Sequence, residues 1–187
     1  SAGLLQKISA AVTSAPNKRV VFAEGEAGQS LDIARLAALA FLHDLGKAHA
    51  GFQAKRWLNE ERPRGRLTAG HSAEAIALLE GSNHSEEAET LLLHLPILEI
   101  CGWGAPETVD NLLRASIAHH GRPIANAPDW FNARIHWSRQ SDYDPAEQLK
   151  SIGAALQRFV PEAFVGGGLP LPDTPRFAHY FAGLVQL

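Results

Sequence analysis

Apolar residues recur at helical spacing in several separate segments of this chain. The clearest case runs from Ser30, a favourable N-cap, to Gly46, a favourable stop, and its apolar face continues to His43 and Asp44. No stretch alternates apolar and polar residues as a half-buried strand does, and no segment is repeated. The pattern predicts an all-α fold, a bundle of about six to eight helices.

Gly and Pro residues separate further segments with the same periodicity. We predict additional helices over residues 4–12, 71–79, 86–100, 106–120, 145–160 and 177–187. His71 begins one of these helices, and His119 and His120 end another. Asp144 is expected to cap the helix that starts at Pro145.

Length, charge and cysteine content exclude several classes of protein. The 187 residues are 45% hydrophobic and 20% charged, which fits one globular domain over 1–187 rather than a disordered or fibrous chain. A net charge of −3 gives no global attraction for nucleic acid, so a polyanion needs a local patch or metal ions. The longest apolar run, 36–42, is far short of the roughly 20 residues that span a bilayer. With a lone Cys101, these features predict a cytoplasmic protein without membrane contact.

The placement of the histidines carries most of the chemical information. His43-Asp44, His71 and His119-His120 lie at the ends of three predicted helices, on or beside their apolar faces. Burying a carboxylate with several imidazoles is costly unless hydrogen bonds, ion pairs or a shared metal compensate them. A single histidine is usually structural, but four histidines and one aspartate placed in this way favour a site. Imidazole and carboxylate without Cys suit Mn, Fe, Co, Ni or Zn with open positions for water, as in a hydrolytic centre.

The order and type of these residues resemble a known superfamily. HDLGK beginning at His43, then His71, then AHHG ending at Gly121 resemble the HD superfamily of metal-dependent phosphohydrolases. The members of this superfamily are all-helical, so the resemblance implies an HD-domain helical bundle. That implication agrees with the helical periodicity.

Within the superfamily, the chain most resembles the HD nuclease domain of the CRISPR-associated type I helicase-nuclease. The likeness is carried by HDLGKAHAGFQ, in which Phe52 and Gln53 follow the HD pair at that family's spacing, by GHS around His71 and by AHHG. The C-terminal FAHYFAGLVQL also resembles a helix of that family. The likeness extends from Ser30 to the C-terminus.

The resemblance implies a set of metal ligands. Asp44 would bridge two ions, with His43 on the first ion and His71, His119 and His120 on the second. Two divalent ions, drawn from Mn, Ni, Co, Fe or Mg and about 3.5–4 Å apart, clamp a phosphodiester, activate water and stabilise the leaving oxygen.

Two ligands of that family have no counterpart in this chain. No histidine precedes His43, and the stretch where the family has one offers only Gln6. The Asp that follows the C-terminal helix is also missing, since the chain stops at Leu187. Because the sequence also contains no Met, we expect a fragment of a longer protein, truncated near Leu187. The second metal site keeps all its side chains, so one bound ion is a safer expectation than two.

Other residues near the motif are candidates for contact with substrate. Lys47 would neutralise a phosphate or position the attacking water, unless it is only a solvated lysine. Residues 55–66 contain five cations and two carboxylates, and within them Lys55, Arg56 and Trp57 are candidate nucleic-acid contacts; a solvated loop is the alternative. His49 either touches substrate or lies at the surface.

The resemblance implies an enzyme, a metal-dependent phosphodiesterase and DNA endonuclease that cleaves single-stranded DNA during CRISPR interference. Its partners would be a helicase domain, fused or separate, and the RNA-guided surveillance complex. One alternative is an HD phosphohydrolase of nucleotides or cyclic dinucleotides, which needs a closed pocket. The other is a degenerate HD domain that binds without turnover.

Overall fold

The computed structural model describes residues 26–56, 67–118, 124, 127–167 and 169–185, and these residues are mainly helical. Their α-helices are α1 Glu26–Phe41, α2 Ala50–Gln53, α3 Ser72–Gly81, α4 Glu86–Leu92, α5 Ile97–Cys101, α6 Pro106–Ile117, α7 Trp130–Trp137, α8 Pro145–Phe159 and α9 Pro175–Val185. Three 3-10 segments cover Leu42–Ala48, Ala54–Arg56 and Pro161–Phe164. Within the described ranges there is no strand, only an isolated bridge between Gln140 and Tyr143. The predicted all-α fold is confirmed.

The helices belong to two compact units. The first contains the described residues of Ser1–His43, Leu98–Arg122 and Ala155–Leu187, and the second those of Asp44–Ile97 and Pro123–Ala154. No helix in the described ranges has the length and apolarity that a bilayer crossing requires.

Helix α1 is the centre of the first unit. Residues 36–40 are all buried, so α1 is apolar on every side there, as a central helix must be. It packs against α6 and the 3-10 segment Pro161–Phe164, while α9 packs on α6. Leu112 and Ile117 of α6 and Phe181 of α9 are buried in this core.

Arg35 is a buried cation on α1 that holds a distant loop. Its guanidinium donates hydrogen bonds to the carbonyl oxygens of Gly167 and Leu169, and it lies 5.8 Å from the centroid of the Trp103 ring. Burial lowers the pKa of Arg35, and the carboxylate of Asp32 opposes that shift. Because these two carbonyl oxygens have a charged donor, Gly167 and Leu169 are held against α1 within the first unit.

In the second unit, α3 packs against α4 and α7, and α7 also packs against α2. Trp137 is almost fully buried and donates its indole N–H to the carbonyl oxygen of Glu74 at 3.2 Å. The Tyr143 hydroxyl donates to the carbonyl oxygen of Ala48 at 2.8 Å, and burial raises the pKa of Tyr143 to about 12. The first bond attaches α7 to α3, and the second attaches the residues just before α8 to the 3-10 segment that contains Asp44.

Several predicted helix boundaries were wrong. Helix α1 begins at Glu26 rather than Ser30, because Glu, Ala and Gln before Ser30 favour helix. It ends at Phe41, so His43 and Asp44 lie on a 3-10 segment, and Gly46 lies within that segment instead of ending the helix.

The predicted helix 86–100 is two helices, because Pro96 has no N–H to donate and restricts Leu95 before it. Helix α7 was not predicted, although Asp129 caps it by accepting a hydrogen bond from the Asn132 N–H at 2.9 Å. Asp144 caps α8 as expected, by accepting from the Ala146 N–H at 3.0 Å. The prediction for residues 4–12 lies outside the described residues.

Glu74, in the first turn of α3, gives the second unit a pH-dependent stability. The residue is 8% exposed, and its Oε2 atom has no hydrogen-bond partner among the described residues. Burial raises the pKa of this carboxyl from 4.5 to about 7. Between pH 4.5 and about 7, the folded protein therefore keeps a proton on Glu74 that the unfolded chain has already lost. The free energy of unfolding consequently falls as the pH rises through this range.

We expect Glu74→Gln to remove this loss. At pH 8 the variant should unfold with a free energy about 1–3 kcal/mol above that of the wild type, and at pH 4 the two should be nearly equal. Urea denaturation at both pH values measures the difference. Glu89→Gln, an exposed carboxylate on α4 of the same unit, is the control and should change each value by no more than about 0.5 kcal/mol. Equal pH dependence in wild type and Glu74→Gln would contradict the prediction.

Candidate functional site

Asp44 and His71 come together in the second unit. Asp44 lies on the 3-10 segment Leu42–Ala48, and His71 is the N-cap residue of α3. The Oδ1 atom of Asp44 is 3.5 Å from the Nε2 atom of His71. The two side chains are 30% and 16% exposed, so solvent reaches both of them. This pair is the part of the predicted ligand set that the structure brings together.

Gly46 allows this approach. Its Cα lies so close to the chain at His71 that a Cβ atom there would overlap the His71 carbonyl oxygen. The Phe52 ring contacts the His71 imidazole edge-on, with ring centroids 5.4 Å apart. The backbone of His71 is therefore packed on Gly46, and its ring is packed on Phe52.

Lys47 occupies the other side of the Asp44 carboxylate. Its Nζ atom is 2.6 Å from Oδ2 of Asp44, and its side chain is 44% exposed. The spacing of three residues on a 3-10 segment places both side chains on one face. One oxygen of Asp44 thus faces an imidazole, and the other faces an ammonium group.

His43 is oriented by a bond inside the first unit. Its Nδ1 atom is 2.7 Å from the carbonyl oxygen of Ala40. Because a carbonyl only accepts, Nδ1 carries the proton and the lone pair of the neutral ring is on Nε2. Metal-binding histidines commonly make this kind of bond to a backbone carbonyl.

His119 and His120, as well as Trp57, lie outside the described residues. Among the residues that are described, no group of three or more His, Cys, Asp or Glu side chains is arranged to hold a metal ion. The complete ligand set of His43, Asp44, His71, His119 and His120 therefore stays a prediction.

The donors that the structure does place together fit a divalent ion. Two donors that each lie about 2.1 Å from one ion are roughly 3.0–3.4 Å apart at angles of 90–110°. The separation of 3.5 Å between Asp44 Oδ1 and His71 Nε2 is close to that value. Carboxylate oxygen with imidazole nitrogen also suits Mn, Fe, Co or Ni. This separation allows both side chains to bind the same metal ion.

Lys55 lies over the Phe52 ring, and this ring in turn contacts His71. Its Nζ atom is 4.8 Å from the centroid of the Phe52 ring, and Lys47 Nζ is 5.9 Å from the same centroid. Lys55 and Arg56 are both exposed. An aromatic ring that contacts His71 is thus accompanied by two lysines, an arrangement that suits a phosphate backbone.

His49 is a residue whose place sequence reasoning missed. It is 0% exposed, so the expected surface position is wrong, and a fully buried ring is not open to direct contact with a bulky substrate. The sequence offered one signal: a histidine between two alanines, five residues after Asp44, with no charged neighbour closer than Lys47.

Comparison with known proteins places the chain in a family. A scan of family models matches residues 5–187 to the family described as Cas3, HD domain. Searches of curated proteins and of solved structures give no match. Because the family model covers nearly the whole sequence, the chain belongs to the Cas3 HD domain family. It is therefore placed among CRISPR-associated HD nucleases, metal-dependent hydrolases of the HD superfamily.

The contact at Gly46 predicts a large effect of one methyl group. Gly46→Ala should lower the free energy of unfolding by about 1–3 kcal/mol, because the backbone of His71 must move to admit the Cβ. Chemical denaturation measures the change.

Gly70→Ala is the matched control, since a Cβ at that exposed neighbour of His71 meets nothing within 4 Å. This variant should stay within about 0.5 kcal/mol of the wild type. Equal stability of the two variants would show that Gly46 is not needed for the approach.

Proposed function

We propose that this member of the Cas3 HD domain family is a metal-dependent nuclease that cleaves single-stranded DNA during CRISPR interference. The chain would act as one HD nuclease domain, with Asp44 at its centre. The observation that supports this most directly is the Asp44 carboxylate, which faces His71 on one side and Lys47 on the other. A helicase domain and the RNA-guided surveillance complex are its proposed partners, in the cytoplasm.

The proposed metal ligands are His43, Asp44, His71, His119 and His120. They would hold one or two divalent ions from the set Mn, Ni, Co, Fe and Mg. A bound divalent ion supplies a Lewis acid for the phosphate oxygens and lowers the pKa of a water molecule. The Oδ1 atom of Asp44, which faces His71, would be the carboxylate oxygen that binds the ion.

The chain's own residues would then orient the reaction. The contact with Phe52 and the packing on Gly46 restrict the His71 ring, so its Nε2 atom stays directed at Asp44. Lys47 holds a positive charge 2.6 Å from Asp44 Oδ2, where it can neutralise a phosphate oxygen that approaches the carboxylate. Such pre-positioned charges stabilise the transition state of phosphoryl transfer without further reorganisation.

The DNA strand would approach over Phe52. Lys55 and Lys47 flank this ring, and Arg56 and Trp57 follow Lys55 along the chain. Basic side chains beside aromatic rings bind single strands because the cations contact phosphates while the bases stack. The net charge of −3 makes such a local patch necessary.

Substitution of Asp44 tests the proposed activity. In Mn²⁺, the wild-type chain should cut circular single-stranded DNA, and Asp44→Asn should reduce the rate at least about 100-fold, because it removes a charged metal ligand. Gel electrophoresis of the circular substrate measures the cutting. Asp173→Asn, an exposed carboxylate in a loop, is the matched control and should cut like the wild type.

Two results would contradict the proposal. Cutting that survives in Asp44→Asn would place the nuclease activity elsewhere. Hydrolysis of nucleotides or cyclic dinucleotides without cutting of DNA would favour a phosphohydrolase of small substrates.

Lys55 should contribute to DNA affinity without a role in chemistry. In an Asp44→Asn background, Lys55→Gln should weaken binding of a labelled single strand and reduce the slope of log K against log salt by about 0.7, the loss of one phosphate contact. Fluorescence anisotropy at several salt concentrations measures both values. Lys150→Gln, an exposed lysine on α8, should leave the slope unchanged. An equal slope in Lys55→Gln and Lys150→Gln would exclude Lys55 from the DNA path.

A further inference from the structure

His49 is fully buried, and both nitrogens of its ring have partners. Nε2 is 2.6 Å from the carbonyl oxygen of Gly70, and Nδ1 is 2.9 Å from the backbone nitrogen of Phe52. The carbonyl can only accept and the backbone N–H can only donate, so the ring is neutral, with its proton on Nε2. The bond to Gly70 joins residues that are 21 positions apart in the sequence, whereas the bond from Phe52 spans three positions.

Each partner of His49 is next to the candidate site. Gly70 directly precedes His71, and Phe52 packs its ring on the His71 imidazole. A backbone bond from the Ala69 N–H to the Gly51 carbonyl oxygen, at 3.1 Å, runs beside the bond to Gly70. These bonds therefore attach the loop to α2 just before His71, the N-cap residue of α3.

The surroundings of His49 keep the ring in this state. Its centroid lies 5.6 Å from that of His136 and 5.4 Å from that of the Trp137 ring. Burial lowers the pKa of His49 to about 4, although the bond to Gly70 opposes this shift. The ring consequently stays neutral well above pH 4, so Nδ1 keeps the lone pair that accepts from the Phe52 N–H while Nε2 donates to Gly70.

We propose that His49 is a positioning residue for the metal centre, which acts through its hydrogen bond to the Gly70 carbonyl and thereby sets His71 against Asp44. This inference rests on the proposed function, since it assigns to His71 the role of a metal ligand. His49 itself touches neither substrate nor metal. A residue that orients a ligand commonly changes metal affinity about 10- to 100-fold when it is replaced.

A pair of amide substitutions separates the two bonds of His49. In His49→Gln, the longer side chain carries an N–H near the position of Nε2 and can still donate to Gly70. In His49→Asn, the shorter side chain carries an oxygen near the position of Nδ1, so it can accept from the Phe52 N–H and cap α2 but does not reach Gly70. The two variants are otherwise alike in polarity and charge.

The first measurement is Mn²⁺ affinity by calorimetry. We expect His49→Gln to bind Mn²⁺ within about threefold of the wild type, and His49→Asn to bind it at least about 10-fold more weakly. The reverse order, with Asn intact and Gln impaired, would show that His49 only caps α2 and would overturn the proposal. Equal affinity in all three proteins would also overturn it.

The second measurement needs no metal. The proton resonances of the His71 ring carry a ring-current shift from Phe52, so NMR of the metal-free protein reports the position of His71. These resonances should stay in place in His49→Gln and move in His49→Asn; resonances that stay in place in both would overturn the proposal. If His49→Asn does not fold, His49→Gln alone decides the question. A displaced His71 resonance in His49→Gln contradicts the proposal, and an unmoved resonance supports it.

The two measurements fail in different ways. A wild-type chain that binds no Mn²⁺ would contradict the proposed function, while the NMR comparison would still decide whether His49 positions His71. A wild-type chain that binds Mn²⁺, with His49→Asn unchanged in both measurements, would overturn the role of His49 alone.

Discussion

The candidate site depends on the close approach of two backbone segments in the second unit. Gly46 lets the segment after Asp44 lie directly against the backbone of His71, where any larger residue would overlap its carbonyl oxygen. Two hydrogen bonds, from the His49 ring to Gly70 and from the Ala69 N–H to Gly51, attach the loop before α3 to α2. Because interiors are close-packed and resist displacement, this approach fixes the distance between the Asp44 and His71 side chains.

The fold could be predicted from apolar periodicity to a large extent. The pattern predicts helices near those observed as α1, α3, α6, α8 and α9 because each buries an apolar face, and residues 36–40 of α1 are buried on every side. It did not locate the change from α-helix to 3-10 helix after Phe41, and it could not show that Gly46 of the 3-10 segment lies against the backbone of His71, a residue distant in sequence. It also missed α7, whose eight residues are too short for a periodic pattern to stand out.

The site could be predicted in part. Motif order brought Asp44 and His71 into one hypothesis, and the structure places their side chains 3.5 Å apart. The interior position of His49 could not be predicted, because a histidine's burial depends on partners that are distant in sequence, here Gly70, His136 and Trp137. The net charge of −3 did not indicate where cations gather, because the structure nevertheless places Lys47 and Lys55 beside Phe52.

We propose that Asp44 and His71 together hold a divalent metal ion. Anomalous diffraction from crystals grown with Mn²⁺, recorded on both sides of the manganese absorption edge, tests this claim most directly. We expect an anomalous peak within bonding distance of an Asp44 carboxylate oxygen and of His71 Nε2. Ordered manganese bound at other residues only, with none between Asp44 and His71, would contradict it.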